Sequence, residues 1–412
     1  MRENKIKKIN IMKTAGTILI LACFVLTATT AFGGGKKKME PLYDLGTAQK
    51  LEPNVFKMNN EIYFLFPVLF NGTQYAATNS WNNAINILKF SGNRFSSDEY
   101  FRNAYDSVNL EPTVIPPIED GVFGFGQIRG FAIFDLKKKK FKDFRILPSI
   151  NDTISMIAIA DARKRYFIVD IERYPNKPKD AWDTTTVLRL TDLSDDAPRV
   201  LKEMELVSKD YTWELVDNKL FVYSSKELKV FTPQFEQSNH PLADVYKKYQ
   251  NKINFLNIAI HPTLPLALIT DEEKPGYILT WGDRKNANLQ QIAARGSLFN
   301  FSPDGKWGVF KGKHSGQVRT YLMPISEKYP YYVGTPMQIF EYAFRKFAST
   351  WTTNPISFIG VRSGGELYRW ELTKEAQKEM MGDDYDKYET FHDWIVTKDL
   401  EKLTKEKKQG LK

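Results

Sequence analysis

Along residues 258–324 the apolar positions fall in short alternating runs separated by polar turns, and the whole pattern occurs twice. Residues 258–283 read IAIHPTLPLALITDEEKPGYILTWGD, and residues 299–324 read FNFSPDGKWGVFKGKHSGQVRTYLMP, 41 positions later with no gap. Ile258 and Ile260 align with Phe299 and Phe301, His261-Pro262 with Ser302-Pro303, and the run Tyr277 to Trp281 with Val318 to Leu322. Each copy reads as strand, Pro-containing turn, strand, polar turn, strand, because alternation at period two fits a pleat and not a helix. Pro303 presets the turn, and Gly305 supplies a positive φ ahead of the next strand.

Weaker copies open near Val55, Val114, Ile157, Trp213 and Trp351, which makes seven units. Their spacing suits four-stranded propeller blades of roughly 40–50 residues, the longer intervals holding insertions. Residues 170–184, rich in Pro, Lys and Asp, read as one such loop, and residues 238–250 as a short helix joining two units. Outer, fourth strands are expected at residues 200–206, 288–294 and 337–342. The last unit lacks one, since Leu372 is followed by the helical pattern Thr373-Lys374-Glu375-Ala376. Residues 45–52 read as the missing strand; pairing it with the last unit would close the ring and remove an open edge. The expectation is therefore an all-β, seven-bladed β-propeller over residues 41–372, with six or eight blades as alternatives, and a helical C-terminal extension over 373–412. In that extension Phe391, Trp394, Ile395, Leu400 and Leu403 fall on one helical face, expected to dock on the chain's own propeller rather than on a partner.

The run Phe299-Asn300-Phe301-Ser302-Pro303-Asp304-Gly305-Lys306 resembles the repeat motif of TolB-like, WD40-like propellers. Ile260-His261-Pro262 followed by Trp281-Gly282-Asp283 is similar to a WD40 repeat, although the Gly-His pair of a full repeat is missing in every unit. The resemblance implies a ring whose loops present a broad face to proteins or glycans.

The N-terminus carries a different signal. Residues 1–13 are basic, residues 14–32 (TAGTILILACFVLTATTAF) hold no charge, and Gly33-Gly34-Gly35 with three lysines ends the stretch. This is the pattern of an export signal, so residues 1–33 are expected to be a signal peptide or a membrane anchor. Cleavage after Ala31 or Gly33 is one outcome. Ile20-Leu21-Ala22-Cys23 resembles a lipobox, which makes Cys23 the candidate lipidation site. An uncleaved anchor is the third, the stretch being barely long enough to span.

Charge and composition narrow the function. The net charge is +9, yet residues 1–31 and Lys36, Lys37 and Lys38 together with the C-terminal lysines account for it, leaving the body close to neutral. A nucleic-acid binder needs a basic stripe on the folded surface, so no nucleic-acid partner is expected. One cysteine permits no disulfide and no thiolate metal site. His240, His261, His314 and His392 are too far apart in sequence for a paired metal motif, and no GxSxG elbow occurs. Gly124-Phe125-Gly126 and Arg362-Ser363-Gly364-Gly365 lack the P-loop ending, and the acidic run from Asp383 to Glu389 lacks the central glycine of a calcium loop. No catalytic, cofactor-binding or metal residue is assigned, and no cofactor is expected. Trp307, Trp351 and Trp370, at alternating strand positions, read as core rather than as a carbohydrate platform. The sequence points to an exported, non-enzymatic interaction scaffold in the periplasm or at the cell surface. Its expected partner is a protein or a surface glycan, with membrane attachment through the N-terminus. The alternatives are a propeller hydrolase or lyase with carboxylates or a histidine at the channel mouth, or a polysaccharide-binding surface protein.

Overall fold

The computed structural model describes residues 49–50, 65–71, 73–79, 84–91, 94–101, 114–119, 121–127, 130–147, 152–173, 185–195, 197–206, 211–224, 227–249, 258–269, 271–281, 289–314, 317–341, 344–353, 356–362 and 367–408. The apolar segment 14–32 with Cys23 lies outside the described residues.

Strand β1 is Gln49–Lys50. Four antiparallel meanders follow: β2–β5 (Leu65–Phe70, Thr73–Asn79, Ala84–Ser91, Arg94–Phe101), β6–β9 (Val114–Glu119, Val122–Gln127, Gly130–Asp135, Lys140–Arg145), β10–β13 (Asp152–Asp161, Tyr166–Arg173, Thr185–Asp192, Arg199–Leu206) and β14–β17 (Thr212–Val216, Lys219–Tyr223, Leu228–Phe231, Gln237–Ser238). Helix α1 (Pro241–Tyr249) then leads into one seven-stranded sheet, β18–β24 (Ile258–Ile260, Leu266–Ile269, Asp271–Thr280, Leu289–Phe301, Trp307–His314, Gln317–Pro324, Met337–Phe340). The last sheet holds β25–β27 (Phe344–Thr353, Ile356–Arg362, Leu367–Glu371) in the order β1-β27-β26-β25, and α2 (Lys374–Met381), a 3₁₀ turn (Gly382–Lys387) and α3 (Phe391–Lys408) end the chain.

The second strands explain how the sheets stack. Residues Phe167 to Ile171 of β11, Leu220 to Tyr223 of β15 and all of β19 are buried without interruption. A strand reads that way only when both faces of its sheet are covered. Alternate residues serve opposite neighbours, as the pleat demands. Phe167, Val169 and Ile171 pack with Phe144 and Leu147 of the preceding sheet, while Ile168 packs with Leu188, Trp213, Leu220 and Val222 of this sheet and the next. Phe221 and Tyr223 meet Ile258, Ala267 and Ile269 in the layer after that. The same alternation runs through the seven-stranded sheet, where Leu266, Leu268 and Ile278 face Phe310, Tyr321 and Met323. Its two halves therefore pack face to face, joined through the long strand β21. A final layer unites Trp307, Val309 and Leu322 with Trp351, Phe358 and Trp370. First strands meet one another in turn, β25 with β2, β2 with β6, and β6 with β10. Sheets stacked face to face with their first strands together radiate from an axis.

Closure by the N-terminal strand follows the expectation: Gln49 pairs with Arg369 and Lys50 with Tyr368. The expected outer strands at 200–206 and 337–342 form as β13 and β24, and α1 is the short joining helix. Other expectations need correction. Among the described residues the separate four-stranded sheets number five, and β18–β24 hydrogen-bond as one seven-stranded sheet. The strand expected at 288–294 does not stop there; it runs on as β21 and becomes the first strand of the next half. The expected opening of the first unit at Val55 lies outside the described residues; β2 runs Leu65–Phe70 and turns at Asn71, whose φ of 48° suits a two-residue hairpin. Residues 170–173, read as loop, complete β11. The gapless alignment of the two copies also fails in the third strand. Leu266 pairs with Thr280 but Trp307 pairs with Pro324, so the second hairpin is three residues longer and Trp281 corresponds to Ile325.

Candidate functional site

The turns between first and second strands and those after third strands lie at the same end of the sheets, and a recurring backbone bond ties them. The residue after the third strand donates its N–H to a carbonyl of the first turn: Leu136 to Gly121 (2.9 Å), Leu193 to Arg165 (3.0 Å), Trp281 to Pro265 (3.1 Å) and Ile325 to Lys306 (2.8 Å). Side chains at the head of each turn close it further. The carboxylate of Asp161 accepts the N–H of Arg163 and Lys164, at 3.0 and 3.1 Å. Ser302 accepts from Trp307 and donates to Asp304. His261 accepts at Nδ1 from Thr263 and Leu264. The result is a face of internally braced turns.

His261 also ties two turns together. Its Nε2–H donates to the carbonyl of Gly305 at 2.8 Å, and its ring meets Phe301 edge-on at 4.7 Å. Both ring nitrogens are therefore engaged, and burial lowers its pKa, keeping it neutral. Gly305 is needed here twice over: its φ is +67°, and a Cβ would stand 2.8 Å from the imidazole.

Between this turn and the β14–β15 hairpin lies a cleft of about 190 Å³. Asp217 and Asn218, both at positive φ, make the tight turn on one side; His261 to Pro265 form the other. Its aromatic wall is built from Phe221, His240 and Trp281, the His240 ring sitting edge-on to Phe221 at 5.1 Å and to Trp281 at 5.7 Å. His240 is fixed because it caps α1, its Nδ1 accepting the N–H of Leu242 at 3.2 Å, with Pro241 at the first helical position. That bond leaves the proton on Nε2. Burial lowers the His240 pKa, and the charge of Lys219 lowers it further. At the cleft's edge Lys219 pairs with Asp217 at 3.0 Å. The volume is below the roughly 300–1,000 Å³ of small-molecule sites, and suits one inserted side chain.

The remaining sequence candidates fall elsewhere. Trp307, Trp351 and Trp370 are buried in the last layer, so they offer no carbohydrate platform. His392 donates through Nε2 to the carbonyl of Ile325 at 2.9 Å and packs edge-on against Trp307, joining α3 to the turn face. Phe391, Trp394 and Ile395 are buried there and Asp399 accepts from the N–H and hydroxyl of Thr335, at 2.8 and 2.7 Å. The extension thus docks on its own sheets; Leu400 and Leu403 are only half-buried. The acidic run at Asp383 is a 3₁₀ turn in which Asp384 pairs with Lys387 and Lys398, both at 2.9 Å, which holds its carboxyl well below the usual range. Among the described residues no group of three His, Cys, Asp or Glu side chains has the arrangement of a metal site. His314 ends β22. Sequence reading missed the cleft because its walls come from three segments; the paired turns around Asp217 and His261 were its only local trace.

Serial antiparallel sheets packed face to face about an axis, closed by the N-terminal strand and braced at one turn face, define a β-propeller. No family model matches the sequence, and no curated relative matches it. In shape the chain is similar to the β-propeller domain of Cps50 (Swd1) from Myceliophteria thermophila, with a TM-score of 0.48 and 9% identity over 76% of this chain and 97% of that one.

Proposed function

We propose that this propeller is a non-enzymatic scaffold of the cell envelope, periplasmic or surface-exposed, that holds a protein partner on its turn face. The observation that carries the reading is the aromatic cleft on a rigid rim: Phe221, His240 and Trp281 enclose space for one side chain, beside a Lys219–Asp217 pair. Anchors seated in desolvated aromatic pockets dominate protein interfaces. Placement in the envelope rests on the uncharged stretch at residues 14–32 with its basic flanks. In the same reading the ring counts seven blades of the WD40-like or TolB-like kind. The seven-stranded sheet then supplies two, β21 serving as the last strand of one and the first of the other.

A photo-crosslinking amino acid in place of exposed Thr263 tests the cleft, with the same group at Lys202 on β13 as the control. The expected result is a defined protein adduct from position 263, absent from position 202 and abolished by Trp281→Ala. Equal adducts from both positions, or adducts insensitive to Trp281→Ala, would overturn the reading.

A further inference from the structure

Two neighbouring turns on the turn face are strongly basic. The β8–β9 hairpin carries Lys137, Lys138, Lys139 and Lys140, all exposed, with Lys142 exposed just inside it. The first turn of the next sheet carries exposed Arg163, Lys164 and Arg165. Asp135 pairs with Lys138 at 3.0 Å and Asp161 with Lys164 at 3.7 Å, so eight cations stand over Asp135, Asp143 and Asp161. Beyond them, in the turn after β12, Asp192 is buried and paired with Arg199 at 2.6 Å, which leaves Asp195 exposed.

Each turn also holds one of its cations at a positive φ. Lys139 has φ 53° and Arg165 φ 56°. That region favours glycine, asparagine or aspartate, and a long side chain there is strained. In the β14–β15 turn the same conformation is filled by Asp217 and Asn218, and near the first hairpin by Asn71. Both basic turns thus place a cation where a neutral, less strained residue would serve the fold better. The tips are convex and offer no pocket, which suits a diffuse anionic surface rather than a shaped ligand.

Topology says which surface. Third strands end at the turn face, and β27 is a third strand, with Glu371 at its end paired to Ser357 beside the β25–β26 turn. Strand β1 runs antiparallel to β27, so it starts at that face. The uncharged stretch 14–32 is joined to β1 by residues 33–48 alone, a tether that reaches at most about 55 Å when extended. Where that stretch is retained, or Cys23 carries lipid, rather than being removed by cleavage, the chain is held to the bilayer from the side that displays the basic turns.

We infer that the basic turns at residues 137–142 and 163–165 form a membrane-docking surface that meets anionic phospholipid headgroups and sets the turn face toward the bilayer. The inference rests on the envelope placement proposed above but not on the cleft. Clusters of four to eight basic side chains close to a membrane attachment are attracted to anionic leaflets, and salt releases them.

The test uses the full chain reconstituted into vesicles of phosphatidylcholine alone or of phosphatidylcholine with one quarter phosphatidylglycerol. Lysine acetylation by a water-soluble reagent is followed by mass spectrometry. Lys137, Lys139 and Lys140 should react about fivefold more slowly on the anionic vesicles, the ratio expected for one basic side chain drawn to such a surface. At about 1 M salt, where screening acts within about 3 Å, the difference should vanish, and Lys202 on β13 should react alike throughout. A variant carrying Lys137→Glu and Lys140→Glu should lose protection at Lys139. Equal rates on both vesicles would overturn the inference, as would protection that appears only when envelope proteins are added. The Thr263 crosslink is unaffected by either outcome if only this inference fails.

Discussion

Asp170 offers the sharpest test of the stacked-sheet architecture. It lies in β11, 8% exposed, facing the layer shared with β14, where the indole N–H of Trp213 donates to its Oδ2 at 2.7 Å. Burial pushes its pKa up to about 6; Glu172 nearby adds to the rise, and bonds from Trp213 and Ser155 oppose it. A carboxyl whose pKa is higher folded than unfolded contributes stability below the unfolded value, near 3.8, that is lost as pH climbs through about 6. The difference of about two pH units corresponds to roughly 3 kcal/mol at pH 8, as an upper bound. Asp170→Asn keeps an oxygen to accept from Trp213 and removes the charge; the weaker neutral bond returns about 1 kcal/mol of the gain. The variant should therefore match or trail the wild type at pH 4 and exceed it by about 1–2 kcal/mol at pH 8. Urea unfolding followed by tryptophan fluorescence at several pH values between these limits measures it. Carboxylates with lowered pKa, such as Asp192 and Glu227, lose their contribution as pH falls, so the comparison is variant against wild type at each pH. A stability difference that stays flat with pH, or an Asn variant weaker at pH 8, would refute the reasoning.

Gly305→Ala should destabilise by about 1–3 kcal/mol, since it forces a positive φ and a Cβ clash on the His261 bridge; thermal unfolding reads it directly. Asp399→Ala should cost about 2–4 kcal/mol by leaving the Thr335 N–H and hydroxyl unanswered, and limited proteolysis should then cut near the start of α3 much faster than in wild type. Lys139→Gly should raise stability by about 0.5–1 kcal/mol by relieving the left-handed backbone, visible as a higher denaturant midpoint. An unchanged or lower midpoint would show that the turn accommodates lysine without strain.

Much of this fold was legible because the second strands, covered on both faces, are continuous apolar runs such as Leu266 to Ile269, and because Pro303 and Gly305 punctuate the turn after β21. The closing strand was legible too, since the last unit visibly runs from Leu372 into a helix. What failed did so for identifiable reasons. The third-strand alignment slipped because hairpin length is set by pairing across strands, which a gapless match cannot register. Residues 170–173 looked like a loop because aspartate is rare in a buried strand, and the partners that make it tenable, the Trp213 indole 43 positions away among them, are not visible locally.

The cleft and the basic turns differ in the same respect. The cleft is assembled by long-range contacts: His240 is aimed by capping α1, Trp281 by the bond of its N–H to Pro265, and Phe221 by its place in β15. No local pattern announces such a site. The basic turns, by contrast, were written in the sequence as four consecutive lysines and as Arg163-Lys164-Arg165. Near-neutrality of the body hid them, because averaging charge over the chain cancels a patch that topology concentrates at one end. Their meaning needed two structural facts: that both turns belong to adjoining sheets at the same end, and that each holds a cation at positive φ. The start of β1 at that same end is what turns the inference for these turns toward an anionic bilayer.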